Sequence, residues 1–200
     1  LALGATAMAR QKALARRLQA VETLGAASVI CTDKTGTLTE NKMTATRIWT
    51  VERSYDVSGT GYDPAGHIAF EGHRIRATDD ALLDDLLQTG LHCSHATLAQ
   101  RGNDWELVGE PTEGALVTLA LKGWLDLPRK RKPLAELPFS SDRKRMSVLH
   151  STSSGGRILT KGAPERIVEI CTSVQTPNGK RPLSEQEREA IDAEYAAMAG

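Results

Sequence analysis

The sequence predicts an α/β chain, and three observations point there. Ala27 to Cys31 (ASVIC) is a short, uncharged, β-prone run that ends in a polar turn containing Asp33, the pattern of a strand buried on both faces. Stretches of helical periodicity alternate along the chain with short β-branched and aromatic runs. Gly and Pro cluster between these stretches, where the chain must turn.

The elements follow in order. Leu3 to Val21 is rich in Ala, Leu, Arg and Gln, all good helix formers, and Leu14, Leu18 and Val21 line one apolar stripe. Arg10, Lys12, Arg16 and Arg17 make its polar surface basic. Thr23-Leu24-Gly25 ends that helix, and the Ala27 to Cys31 strand and the Thr32 to Thr37 turn come next. Met43 to Ser54 and Val57 to Thr60 read as strands, and SGTGYDPAGHI, with its three Gly and one Pro, as loop or hairpin. Thr78 to His95 is helical, with Asp79 and Asp80 in the first turn, where the helix dipole favours acid. Glu106 to Gly109 is a short strand. Pro111 to Gly123 is a helix with Pro near its start and Gly near its end. Leu134 to Phe139, Arg145 to His150 and Arg157 to Thr160 read as strands, and Ala163 to Cys171 and Ser184 to Ala199 as helices. Ser184 and Glu187 have capping-box spacing. Composition shifts near Thr44, which marks a domain boundary.

The chain has 200 residues, room for one or two domains at ~100–200 residues each. Its 25 Lys+Arg balance 25 Asp+Glu, which argues against a whole-chain binder of nucleic acid or acidic membrane. No run reaches the ~18–20 apolar residues that cross a bilayer, and LALGATAMA stops at Arg10 without a signal-peptide layout. Cys31, Cys93 and Cys171 are odd in number and widely spaced, which fits a reducing compartment rather than a disulfide framework. His92, Cys93 and His95 have poor spacing for zinc and read as a helix end with a buried Cys and surface His. The RKRK run, Arg129 to Lys132, reads as a solvated loop, so no nucleic-acid partner is expected.

Chemistry in open α/β sheets collects at the carboxyl ends of strands, where Asp33 falls. A carboxylate there can ligate a metal or act as a nucleophile that forms an aspartyl-phosphate. Its charge repels phosphate, so such a site needs Mg²⁺ and nearby cations. Lys34 offers one cation, and Thr35, Gly36 and Thr37 offer amides and hydroxyls to phosphate oxygens. A turn that satisfies only its own backbone accounts for the same residue types.

The string is more specific. DKTGTLT followed by Asn41, Lys42 and Met43, with VETLG upstream, resembles the phosphorylation motif of P-type cation-transporting ATPases. The resemblance implies that Asp33 is phosphorylated by ATP, that Lys34 stabilises the phosphoryl group, and that Asp33 and Thr35 contact Mg²⁺. It also implies a fold: the start of a haloacid-dehalogenase-like, Rossmann-like phosphorylation domain, then an α+β nucleotide-binding domain with an antiparallel sheet and flanking helices. Soluble phosphatases related to that core usually carry a second Asp two positions after the nucleophile. Here that position is Thr35, which does not titrate near neutral pH and makes a poor general acid or base.

No Gly-rich loop ends in GK followed by Ser or Thr, so any ATP site is built otherwise. Three segments suggest how, each with a plainer alternative. Glu113, in VGEPTEGAL, either stabilises a helix start or accepts a hydrogen bond from an adenine amino group. In LPFSSDRKRMSVL, Phe139 is either a core or edge aromatic or a stacking platform, with Lys144 reaching for phosphates. In KGAPE, Lys161 supplies a second cation, Gly162 permits a close backbone approach, and Pro164 suits the first helical position.

In this order the three strings resemble the nucleotide-binding domain of the same ATPases. The resemblance implies Glu113, Phe139, Lys144, Lys161 and Gly162 as ATP contacts, with Met146 packed beside the base. Ser141 departs from the Arg that some members carry. GTGYDPAGHI with FSSDRKRMSV resembles the calcium-type and related branches rather than the heavy-metal branch. The implied division is residues 1–25 a stalk helix, 26–44 the N-terminal part of the phosphorylation domain, and 45–200 an incomplete nucleotide-binding domain. Membrane helices are expected before Leu1 and further metal-binding motifs after Gly200. This stretch would be the cytoplasmic part of a multi-pass pump in the cell membrane, binding ATP weakly and without turnover when alone and coupled to its transported cation through the membrane helices. The alternatives are a soluble haloacid-dehalogenase-like phosphatase or phosphotransferase and a non-catalytic nucleotide-binding module.

Overall fold

The structure, a computed structural model, describes every residue except 1, 15, 18–21, 23, 24, 127–131, 154 and 200. The expected helix residues Leu18 and Val21, its Thr23-Leu24 end and most of the basic run at 129–132 lie outside the described residues. The chain divides into two compact units, Leu1–Asn41 and Lys42–Gly200.

The first unit holds helix α1 (Ala2–Arg10). It stops well short of the expected Val21, because Lys12 takes a left-handed φ of 61° and the Ala13 amide bonds back to the Met8 carbonyl at 2.9 Å. Its apolar surface is little covered: Leu3 is 89% exposed, Ala5 and Met8 are half-buried, and Leu14, beyond the helix end, is 82% exposed. Without such packing a helix shorter than ~12–15 residues is marginal in water. The expected buried strand at Ala27 to Cys31 is likewise not formed; these residues are irregular and exposed. A strand of that kind needs paired neighbours on both edges, and no sheet among the described residues includes it.

The second unit opens with an antiparallel meander of β1 (Arg47–Trp49), β2 (Ser54–Val57), β3 (Ile68–Phe70) and β4 (His73–Ile75). The single expected strand from Met43 to Ser54 is broken at Thr50–Arg53, whose backbones bond each other across a turn. Ile48, Tyr55, Val57 and Ile68 face inward. A one-turn 3₁₀ segment (Ala77–Asp79) leads to α2 (Ala81–His92). Asp80 caps α2, its Oδ1 accepting from the Leu82 and Leu83 amides at 3.0 and 3.3 Å. Its Oδ2 accepts from the Tyr55 hydroxyl at 2.8 Å and the Arg53 guanidinium at 2.9 Å. Burial, and then this bond to Asp80, raise the Tyr55 pKa to about 12.

Leu83, Leu87 and Leu91 recur every four residues and bury one face of α2. That face meets α3 (Pro111–Lys122), where Val117 and Ala120 are fully buried. The hairpin of β5 (Thr97–Arg101) and β6 (Asp104–Val108) joins the two helices, and its first strand was not foreseen. A three-stranded antiparallel sheet follows, in the order β7 (Ala135–Ser140), β8 (Arg145–Thr152), β9 (Gly155–Gly162). Along β8, Met146, Val148 and His150 alternate inward. With Cys93 and Leu159, Met146 and Val148 form a second small core.

The chain ends with α4 (Pro164–Val168), the hairpin β10 (Ser173–Thr176) and β11 (Gly179–Pro182), and α5 (Glu185–Ala199). Arg188 of α5 donates to the Val168 and Cys171 carbonyls at 2.5 and 2.6 Å, fastening it to the end of α4. The class is therefore mixed α/β, and every strand pair among the described residues is antiparallel.

Candidate functional site

The expected site residues lie on both units. Asp33, Lys34 and Thr35 sit in an exposed segment of the first. The Leu38 and Thr39 amides bond the Lys34 carbonyl at 3.0 and 3.2 Å, and the Gly36 amide reaches Thr39 Oγ1 at 3.3 Å, closing a turn just after Asp33. Asp33 and Thr35 offer a carboxylate and a hydroxyl, hard oxygen donors of the kind Mg²⁺ prefers.

The other six lie on the second unit, at one end of the β7–β8–β9 sheet and the start of α3. The β8–β9 register sets Met146 opposite Lys161 and Arg145 opposite Gly162. Directly opposed residues of an antiparallel pair share a face, so Lys161 leaves β9 on the side where Met146 is buried. Its ammonium donates to Glu113 Oε1 at 2.7 Å and to Ser94 Oγ at 3.3 Å.

Glu113 is engaged on both oxygens. Oε2 accepts from the backbone amides of His95 and Ala96 at 2.8 and 3.0 Å. The side chains of Lys161 and Glu113 are only 21% and 12% exposed, so the ion pair is largely withdrawn from water. Burial pushes the Glu113 carboxyl up, but Lys161 and the two amides together pull it below the usual carboxylate range. Glu113 thus does more than sit favourably at a helix start: it clamps the start of α3 to the segment leaving α2 and fixes a cation from β9. No side-chain pattern points to Ser94, His95 and Ala96 as members of this cluster, because two act through backbone amides and the third through a short hydroxyl. His95, on the surface as expected, bonds Glu136 Oε2 of β7 at 2.8 Å.

The remaining residues differ in exposure. Phe139 is 61% exposed, at the point where the β7–β8 register shifts between Leu137 and Ser140. Lys144 takes a left-handed φ of 49° in the β7–β8 turn, and its ammonium lies 3.4 Å from Glu165 Oε1. Met146 is 3% exposed and meets Cys93, Val148 and Leu159. Gly162 does permit a close approach, but to the neighbouring strand. A Cβ there would stand 2.4 Å from the Lys144 carbonyl oxygen and 2.5 Å from Arg145 Cβ. The structure thus gathers an exposed aromatic, an exposed cation and a largely buried, ion-paired cation at one sheet end. Cys93 is buried at the end of α2 as expected, and no group of three metal-ligating side chains occurs among the described residues.

Comparison with known proteins gives a consistent result. Residues 82–200, more than half of the chain, match the model of a family described as P-type ATPase, cytoplasmic domain N. The chain is 38% identical over 194 residues to a calcium-transporting ATPase of Bacillus subtilis, covering 95% of this chain and 22% of that protein. It is 40% identical over 191 residues to the cation-transporting ATPase pma1 of Synechocystis, covering 90% and 21%. It is 38% identical over 204 residues to the human calcium-transporting ATPase type 2C member 1, covering 99% and 22%. The chain spans about a fifth of the length of the curated relatives it matches.

Proposed function

Because this chain belongs to the P-type cation-transporting ATPases, we propose that its second unit binds ATP and that Asp33 receives the γ-phosphate. The observation that carries the reading is the Lys161–Glu113 pair, with Phe139 and Lys144 at the same sheet end. Phe139 presents a bare ring on which adenine stacks, a contact every base tolerates. In this reading Met146, held in the small core of the same sheet, packs beside the base. Lys161, held by Glu113, is a cation whose position is set before the nucleotide arrives, so little ordering remains to be done on binding. Lys144 is exposed and loosely paired, and can swing to the phosphates. Gly162 contributes by holding β9 against the Lys144 turn.

The first unit is read as the N-terminal portion of a haloacid-dehalogenase-like phosphorylation domain. There an Asp33 carboxylate oxygen attacks the γ-phosphorus in line. The bond to the β–γ bridging oxygen breaks, ADP leaves with the electron pair, and an acyl phosphate remains on Asp33. Lys34 offsets the charge of the incoming phosphoryl group. Mg²⁺, held by Asp33 and Thr35, would spread the negative charge of the transferring group. Thr35 supplies no proton, so the acyl phosphate is long-lived, which suits a conformational cycle that moves a cation across a membrane. This segment is then the cytoplasmic part of that pump.

Phosphorylation is tested on the full-length protein with ATP labelled at the γ-phosphate. The label should be released by hydroxylamine and absent from Asp33→Asn; label that resists hydroxylamine refutes the assignment. Binding is tested on the chain itself. Phe139→Ala should leave the unfolding midpoint unchanged yet weaken ATP about tenfold, the loss expected from one stacked base. Unchanged ATP affinity would remove Phe139 from the site.

A further inference from the structure

Between α2 and the β8–β9 hairpin lies a cavity of about 620 Å³, lined among others by Asp84, Gln88, His92, His150 and Arg157. It occupies the other end of β8 from Met146, beyond Val148. Its volume is in the range of sites that take small organic molecules.

Two polar groups in it lack partners. His150 is 6% exposed, and neither ring nitrogen has a hydrogen-bond partner. Asp84 Oδ1 is likewise buried and unpartnered. Buried polar groups are paired in nearly all native structures, so two orphans in one cavity call for an occupant. The occupant's chemistry follows from the lining. Asp84 needs a donor. Arg157 is already committed, donating through both terminal nitrogens to Asp85 at 3.1 Å, so among the described residues the lining offers no free Lys or Arg to an anionic ligand. Asp84 and Asp85 against Arg157 leave one negative charge. No three-ligand metal group occurs among the described residues. The His92 and His150 rings, 5.1 Å apart between centroids, offer aromatic faces to a planar cation.

We infer that this cavity binds a small organic cation carrying N–H donors, of the guanidinium class, which donates to Asp84 and lies against His150. The site lies at the other end of β8 from the residues proposed to bind nucleotide, and its test does not depend on ATP.

The probe is methylguanidinium, titrated into the full chain with ¹⁵N-labelled histidine and followed by the imidazole resonances. The His150 ring signals should shift saturably. Tetramethylammonium, equal in charge but without N–H donors, should leave them in place. Asp84→Asn should weaken methylguanidinium about tenfold, the scale of one charge-assisted hydrogen bond. A thermal melt of that variant confirms that it is folded; if it is not, Asp84→Glu, which keeps the charge, replaces it and should bind within a few-fold. Equal shifts with both cations, unchanged affinity in Asp84→Asn, or no saturable shift, as for a cavity holding only water, would each overturn the assignment.

Discussion

At the scale of single residues, the Glu113–Lys161 pair dominates. Glu113→Ala strands one ammonium and two backbone amides in a largely dry place, and breaking such a pair costs about 3–5 kcal/mol. Urea unfolding of the variant should show that loss, and a loss under 1 kcal/mol would mean that Glu113 is better solvated than its 12% exposure implies. Gly162→Ala sets a methyl against the Lys144 carbonyl and should cost about 1–3 kcal/mol, as overpacking does. Nucleotide affinity should fall with it, since the Lys144 turn must give way. The types of these residues were legible beforehand, because GEPTEGAL, FSSDRKRMSV and KGAPE are contiguous strings. Their partners were not: the His95 and Ala96 amides reach Glu113 from 18 and 17 residues away through backbone N–H groups, and Ser94 Oγ accepts from Lys161 across 67 residues.

At the scale of elements, local chemistry was the more reliable guide where an element closes on itself. The Ser184–Glu187 capping box forms, Ser184 N donating to Glu187 Oε2 at 3.0 Å and Glu187 N to Ser184 Oγ at 3.3 Å. Arg181 adds two bonds to the same carboxylate and, with Ser184, lowers the Glu187 pKa from 4.5 to about 2. A carboxyl depressed in the folded state stabilises above its unfolded pKa, so this contribution is full above pH 4.5 and is lost as pH falls towards 2. Circular dichroism across that window should show α5 weakening, and Glu187→Gln should flatten the dependence. Lys122, at the end of α3, has the opposite history. It is 2% exposed, and burial pushes its ammonium below 10.5, with Asp63 opposing in part. The unfolded chain then holds the proton more tightly, so stability should rise with pH from the folded pKa up to 10.5. Lys122→Met should remove that slope and be no less stable at neutral pH, which urea midpoints at several pH values would check. Elements that depend on distant partners were harder to read. Ala27 to Cys31 has the composition of a buried strand, yet Val29 and Ile30 are 75% and 82% exposed, because composition says nothing of which edges are available for pairing. The β10–β11 hairpin carries a turn signal, Pro177-Asn178-Gly179, but its four-residue strands are too short and polar to show a period-2 pattern.

At the scale of the molecule, the buried side chains among the described residues all lie in the second unit, from Ile48 onward. Stability measured on this chain should therefore report that unit. Ile30→Asp, at an exposed position of the first, should change the free energy of unfolding by no more than about 0.5 kcal/mol. A larger loss would show that Ile30 is covered in solution. Within the second unit, one carboxylate joins three stretches distant in sequence: the exit of α2, the first turn of α3 and the last strand of the β7–β8–β9 sheet. Whatever draws on the Lys161 ammonium therefore also changes how firmly the His95 and Ala96 amides are held. Those two N–H groups are built-in reporters. Their deuterium uptake should change when the site fills, long before any strand or helix has moved.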